Sequence, residues 1–573
     1  MIPERDRRGQ LTLLSEWVTA LFGRRPTGAW LAERVWEPSL PTALHAAGLD
    51  YVLIDDEVFH HQGYTEQETC VAFITEEQGD PVRVLPISRR LRYAIPTLTV
   101  MEVMATLGEM TAAQPEVIIY AEDGERFGNW PGTYDYLYGE EAYLDQLFSA
   151  IEASDDVTSV LPGDYLRQSG VSKRVYLPPT SYQEMLEWSG GNWRNFLTQY
   201  RESNLMHKKM YQVSRWVAAA QNAGHDTTAA QRNLYAAQCN CAYWYGTFGG
   251  LYLPHLRRAV YQHLLRAEYA VAPLLPADAR PSAQVIDHDY DGRDEVYLRA
   301  GEISVGIAPA QGGAVFALEH LGLAHNFMNT MSRYPLRPEK DTREDIPALP
   351  VDWHPRFAFV DHLLSPATTA EDMPRGTYGE QGDFVLGVYD FTLDRTTLRL
   401  WRDGHFWDGQ DFVPLRVDKV YSLIGNDLRV AYRVTNHSDR ERALRFAVEM
   451  HIQLTAGDAP GRRLTLLHGD KSTEVALEKV TCAEANGALC EDAWLQGTLA
   501  FDWEDVTESW IYPIHTPLRS LAGLEWVYQS TVVLPVWTLQ LAAGASWTTQ
   551  LSLSATYIEP TDTLASARVD ALR

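Results

Sequence analysis

The chain is short of cations. Its 573 residues carry 49 Lys and Arg against 76 Asp and Glu, for a net charge of −27. Nucleic acid and anionic membrane surfaces are polyanions that need a cationic face, so neither is expected as a partner. Nowhere do eighteen apolar residues run together, and the opening MIPERDRRGQ lacks the apolar core of a secretory leader. The expectation is a cytoplasmic protein with no membrane span. Cysteine is scarce as well: Cys70, Cys239, Cys241, Cys482 and Cys490. An odd count at spacings foreign to a zinc site argues against a disulfide framework, and all five read as free thiols. Low-complexity tracts, short repeats, a Walker lysine loop and a serine nucleophile elbow are missing too.

What is present is an ordinary globular composition, 45% hydrophobic and 22% charged, in a chain too long for one core. Residues 1 to about 165 alternate helix and strand signals. Leu11, Leu14, Trp17, Val18 and Leu21 recur at helical spacing, followed by the short apolar strand GAWL (28–31). A helix in SLPTALHAAGL, a strand YVLI (51–54), a helix from about Leu98 to Ala113, a strand EVIIYA (116–121) and a helix from about Glu140 to Ala153 come next. Such alternation predicts parallel β-structure covered by helices. Residues 166–280 read as a helical middle domain, rich in aromatics beside Gly and polar groups. Beyond the Pro- and Ala-rich linker VAPLLPADARPSAQ (271–284), period-2 alternation predicts an antiparallel β-sandwich within 281–573, from about 285 to 565. The fold class is thus α/β plus all-β.

Two carboxylates stand just after apolar runs: Glu33 in GAWLAERVWEPSL and Asp123 in VIIYAEDGERFGNWPGTY. In a parallel α/β barrel the active site forms at the carboxyl ends of the strands, where groups distant in sequence meet. A pair of carboxylates there suits glycosidic cleavage, one protonating the leaving oxygen and the other attacking the anomeric carbon or activating water. Trp30, Trp36 and Trp130 flank the pair, offering flat apolar surfaces for sugar rings. Arg34 and Arg126 lie beside the carboxylates, able to hold an anionic form.

The motifs WLAERVWEP, GLDYVLIDD, LRYAIP, EDGERFGNWPGTY, RESNLMHKKM, QCNCAYWYGTFGGLYLPHLRR, DHDYDGRDEV, QGGAVFALE, DHLL and YGEQGDF span most of the chain. In them the sequence resembles the α-amylase/4-α-glucanotransferase branch of glycoside hydrolase family 57. That resemblance implies a (β/α)7 barrel, a helical middle domain and a C-terminal sandwich. It implies a retaining mechanism with Glu33 as nucleophile and Asp123 as acid/base. Glu125, Trp130 and Trp244 match positions near bound sugar. No cofactor and no metal is implied for the chemistry. The family's opening His-Gln-Pro strand and its later Gly-Gly-x-Tyr-Glu-Pro segment do not occur here, so residues 1–165 are expected to form a barrel portion lacking its first strands. The implied substrate is α-1,4-glucan or a maltooligosaccharide, with a homodimer as a possible assembly. Three functions follow: 4-α-glucanotransferase as the first reading, α-amylase as the second, and a truncated, non-catalytic glucan-binding protein as the third.

Overall fold

The computed structural model describes residues 1–140, 142–171, 173–246, 249–335, 350–457, 459–477, 479–520 and 523–558. The chain forms two compact units, Met1–Phe196 and Leu197–Arg573. Segment 166–196, expected to belong with the helical middle domain, is therefore part of the first unit. Among the described residues no helix is long and apolar enough to cross a membrane.

In the first unit, helix α1 (Glu4–Phe22) starts behind Pro3, carries Glu4 and Asp6 in its first turn, and stops at Gly23 in the left-handed conformation. Acidic residues at the start and a glycine past the end are what helix termini favour. Strand β1 (Gly28–Trp30) follows, then helix α2 (Leu40–Ala46) and strands β2 (Tyr51–Asp55), β3 (Phe73–Glu77), β4 (Asp80–Ile87) and β5 (Lys173–Arg174). They build one open sheet in the order β1-β2-β4-β3-β5. Strands β1, β2 and β4 run parallel, β3 is antiparallel to β4, and β5 is parallel to β3. A Cβ on Gly28 would sit 2.1 Å from the end of the Tyr51 ring, so a larger residue on β1 would push that ring aside. The sheet's core is formed by Val52, Ile54, Phe59, Phe73 and Val84, covered by Leu44 of α2.

Two expectations need correction. The β3–β4 hairpin was not foreseen. Its two-residue loop, Gln78-Gly79, has φ of 55° and 88°, the left-handed pair that a tight hairpin needs. Because β3 already occupies that edge of β4 from Asp80 to Val84, the run EVIIYA does not become a full strand. Only Ile119 pairs, with Ile87 at the free end of β4. Helix α1 forms as predicted, yet Leu14, Trp17 and Leu21 are 59%, 61% and 59% exposed. The predicted helices over 98–113 and 140–153 are present as Val100–Ala112 and Tyr143–Glu152, the first closed by a Thr99–Glu102 capping box.

The second unit opens with three helices, Arg201–Asn222, Thr228–Ala237 and Pro254–Val271, which pack on one another. Among the described residues, two antiparallel sheets follow, of ten and nine strands. Their facing residues share one apolar core that runs from Val296 and Val315 on the first sheet to Leu400, Val430 and Leu553 on the second. The sandwich predicted from alternation is there, and strand Asp411–Ile424 reads buried, intermediate, buried along most of its length. The predicted stretch beyond Ile558 lies outside the described residues.

Candidate active site

Immediately after β1 the chain makes a tight turn at Ala32–Arg34, with Glu33 at φ 51° and Arg34 at φ 46°. Two successive non-glycine residues in the left-handed region are strained, at a cost of order 1–3 kcal/mol each. The surroundings over-determine the turn. The Ser181 hydroxyl donates to the Glu33 carbonyl at 2.6 Å, and the Trp36 and Thr180 backbones bridge a few residues on. The Arg34 side chain, 5% exposed, then points inward to meet charges from two other segments.

Arg34 Nε donates to Asp55 Oδ2 at 3.2 Å, and its Nη1 donates to Asp123 Oδ2 at 3.1 Å. Arg92 donates to the same Asp55 oxygen at 3.2 Å and to Glu122 at 2.9 Å, and lies 3.9 Å from Asp123 Oδ2. Arg126 closes the network on Glu122 at 2.6 Å. Three guanidinium groups thus face three carboxylates. Burial pushes the Asp55 carboxyl above the ordinary carboxylate range, outweighing Arg34 and Arg92. Burial acts the same way on Glu122, but the bonds and charges of Arg92 and Arg126 overcome it and hold that carboxyl low. Tyr182 packs its ring 4.4 Å from the Arg34 guanidinium. Burial first, then the Glu33 charge, raise its phenol far above the ordinary value, so it remains a donor.

Within this arrangement the carboxyl of Asp123 is 35% exposed while Glu122 beside it is 1% exposed. Asp123 is the network member that meets solvent, and both cations act on its one oxygen, Oδ2. Asp123 is bonded by Arg34, the residue that follows Glu33 on the turn. Trp30 and Trp130 are 37% and 39% exposed and lie 5.6 and 5.7 Å from the guanidinium groups of Arg34 and Arg126. Glu125 is exposed on the turn after Asp123.

Two expected partners are placed differently. Trp36 is 1% exposed, its indole N–H donating to the Leu177 carbonyl, so its ring belongs to the core and is not open to a sugar. Arg126 holds Glu122, not Asp123. Trp244, half-buried, lies in the second unit. Sequence reasoning missed Asp55, Arg92, Glu122 and Tyr182 as parts of the site, although the Asp-Asp after YVLI was a visible signal.

The first 178 residues match the model of glycosyl hydrolase family 57. Residues 191–271 match the middle domain of alpha-amylase/4-alpha-glucanotransferase, and residues 287–340 and 337–551 its C-terminal domain. The chain is 30% identical to the 4-alpha-glucanotransferase of Thermococcus litoralis and 32% to that of Thermococcus kodakarensis. Each alignment covers 93% of this chain and 84% of the relative. It is 31% identical to the alpha-amylase of Pyrococcus horikoshii, over 92% of this chain and 82% of that one. The crystal structure of the Thermococcus litoralis 4-alpha-glucanotransferase superposes with a TM-score of 0.84 at 29% identity, covering 96% of this chain and 85% of that one.

Proposed function

Because the chain belongs to glycosyl hydrolase family 57, we propose that it is a retaining 4-α-glucanotransferase that breaks and re-forms α-1,4-glucan bonds at Glu33 and Asp123. The observation that carries the assignment of residues is Arg34, whose guanidinium bonds Asp123 at 3.1 Å while its backbone continues from Glu33. That bond supports reading the two carboxylates as members of one site.

In the first half-reaction a Glu33 oxygen attacks the anomeric carbon. The glycosidic C–O bond breaks, and Asp123 gives its proton to the departing oxygen. A glucosyl ester on Glu33 results. In the second half an acceptor sugar hydroxyl gives its proton to Asp123 and attacks the same carbon, releasing Glu33. Since Arg34 and Arg92 both act on Oδ2 of Asp123, Oδ1 is the oxygen that exchanges the proton. Tyr182, its phenol held protonated first by burial and then by the Glu33 charge, is a neutral neighbour of Glu33. The exposed rings of Trp30 and Trp130 supply faces for sugar C–H groups, with Glu125 and Arg126 as neighbouring polar contacts. Hydrolysis differs only in that water replaces the acceptor sugar, and the alpha-amylase relatives keep that reading in play.

The test uses maltooligosaccharides of defined length. Longer and shorter glucans at constant reducing-end number mean transfer, and a rise in reducing ends means hydrolysis. Asp123→Asn, given a glucosyl fluoride whose leaving group needs no acid, should accumulate a glycosyl ester seen by intact mass. Azide should release it as the β-azide. Near-normal turnover of α-1,4-glucan by Asp123→Asn overturns the assignment.

A further inference from the structure

A cluster of metal-ligating side chains lies on the ten-stranded sheet of the second unit, on the face turned away from the core that the two sheets share. His362 is on strand Ala358–Leu363 and Glu449 on strand Arg442–Ile452. These strands pair antiparallel with His362 opposite Ala447, so Glu449, two residues on, shares the face of His362 as its diagonal neighbour. His354 reaches the same point from the segment before the first of these strands. His354, His362 and Glu449 are 7%, 0% and 1% exposed.

The ring nitrogens can be assigned from their partners. His354 Nδ1 lies 3.0 Å from the Pro355 carbonyl, which only accepts, so Nδ1 carries a proton and Nε2 of the neutral ring carries a lone pair. His362 Nδ1 lies 2.7 Å from Glu380 Oε2 and donates to it. Its Nε2 is thereby turned toward Glu449 Oε2 at 3.3 Å, and His354 Nε2 faces that same oxygen at 3.6 Å. The other Glu449 oxygen is already served: Tyr512 donates to Oε1 at 2.9 Å, His451 Nε2 lies at 3.1 Å and Arg356 at 3.7 Å. The three candidate ligand atoms lie within 4.8 Å of one another. Without a metal, a proton on His362 Nε2 bridges to Glu449 Oε2, and the Tyr378 hydroxyl donates to His354 Nε2. A divalent cation displaces that proton and takes a lone pair from each of the three atoms.

We propose that His354 Nε2, His362 Nε2 and Glu449 Oε2 bind a zinc-class divalent cation that ties the segment before strand Ala358–Leu363 to the sandwich. The spacings suit it. Zinc bonds of about 2.0–2.1 Å in a tetrahedron put neighbouring ligand atoms roughly 3.3 Å apart, against 3.3 and 3.6 Å here. Two imidazoles and a carboxylate are a donor set for zinc rather than calcium or magnesium. The outer contacts are those that metal-bound histidines make, one ring N–H to a carboxylate (Glu380) and one to a backbone carbonyl (Pro355). The Tyr378 hydroxyl lies beside the cluster, 3.0 Å from His354 Nε2. This site is separate from the proposed glycosyl-transfer chemistry, which needs no metal.

The full chain, stripped with chelator, is titrated with zinc chloride and with cobalt chloride. The expected result is about one tightly held equivalent per chain. The cobalt form should show the visible bands of a tetrahedral site, without the near-ultraviolet thiolate band that binding at Cys239 or Cys241 would give. Glu380→Gln, which keeps the fold but removes the orienting charge, should weaken zinc binding about 10–100-fold. His354→Ala should abolish it. Zinc should raise the Tm of the parent chain and leave that of His354→Ala unchanged. No retained metal in the parent chain overturns the proposal and leaves a protonated His362 between two carboxylates. Equal binding by the parent chain, His354→Ala and Glu380→Gln also overturns it. Should His354→Ala fail to fold, the cobalt spectrum and Glu380→Gln decide alone.

Discussion

Each unit of this protein buries charge, and the two do it to different ends. In the second unit Lys209 donates to Glu268 and Glu319 at 2.6 Å each, Arg280 adds a bond to Glu268 at 2.8 Å, and Lys209 and both carboxylates are 2% exposed or less. The cations hold Glu268 below the ordinary carboxylate range against the opposing effect of burial, whereas burial raises Glu319. In the first unit the chemically similar network of Arg34, Arg92, Arg126, Asp55 and Glu122 has an open end, Asp123, at 35% exposure. A closed network can only stabilise or destabilise the fold. An open one keeps its interior fixed and presents one oriented carboxylate to a ligand.

Four substitutions would break or sharpen that contrast. The largest effect is expected at Glu33→Gln, where loss of the attacking oxygen should cost on the order of 10²–10⁴-fold or more in turnover, with the Tm unchanged within a degree or so. A large Tm change would mean that Glu33 is part of the scaffold. Next is Glu268→Gln, which leaves Lys209 and Arg280 with an uncharged partner. Denaturant unfolding should show a loss of about 3–5 kcal/mol, while activity per folded molecule stays as it was. Third is Arg34→Lys. An ammonium cannot make both bonds that the guanidinium fork makes, so kcat/KM should fall about 10–100-fold, the scale of a charge-assisted hydrogen bond. An unchanged kcat/KM would remove Arg34 from the positioning of Asp123.

The smallest effect is a change of slope. Burial, opposed by a hydrogen bond from the Arg89 amide, raises the Asp56 carboxyl to about 7. The folded state then binds more protons than the unfolded chain between about pH 4 and 7, so this group's contribution to stability declines as pH rises through that window. Asp56→Asn should flatten that part of the Tm-against-pH curve. An identical curve would show that Asp56 ionises as freely folded as unfolded.

The two proposed working carboxylates were legible because each follows a short apolar run, and a strand end is where an α/β sheet exposes function. The sandwich was legible because period-2 alternation is a strong local signal. The supporting network was not. Asp55 lies 21 residues from Arg34, and Asp123 lies 89 away; only the sheet order puts them together, and no window of sequence holds it. Trp36 misled for a related reason. Proximity to Glu33 in sequence suggested a shared cleft, but the backbone bridge to Thr180 turns that indole into the core. Tyr182 sat in plain view in an aromatic-rich stretch, yet nothing local marked it as the ring that packs on Arg34.

The clamp on the strained turn has a consequence for synthesis on the ribosome. Ser181, whose hydroxyl fixes the Glu33 carbonyl, follows it by 148 residues. Strand β5, which borders β3, arrives only with Lys173 and Arg174. At translation rates of about 5–20 residues per second, Glu33 is made roughly 7–30 s before the residue that locks its conformation. During that interval the edge of β3 is unpaired and the nascent chain is a substrate for holdase chaperones, while the downstream sandwich has not yet been translated.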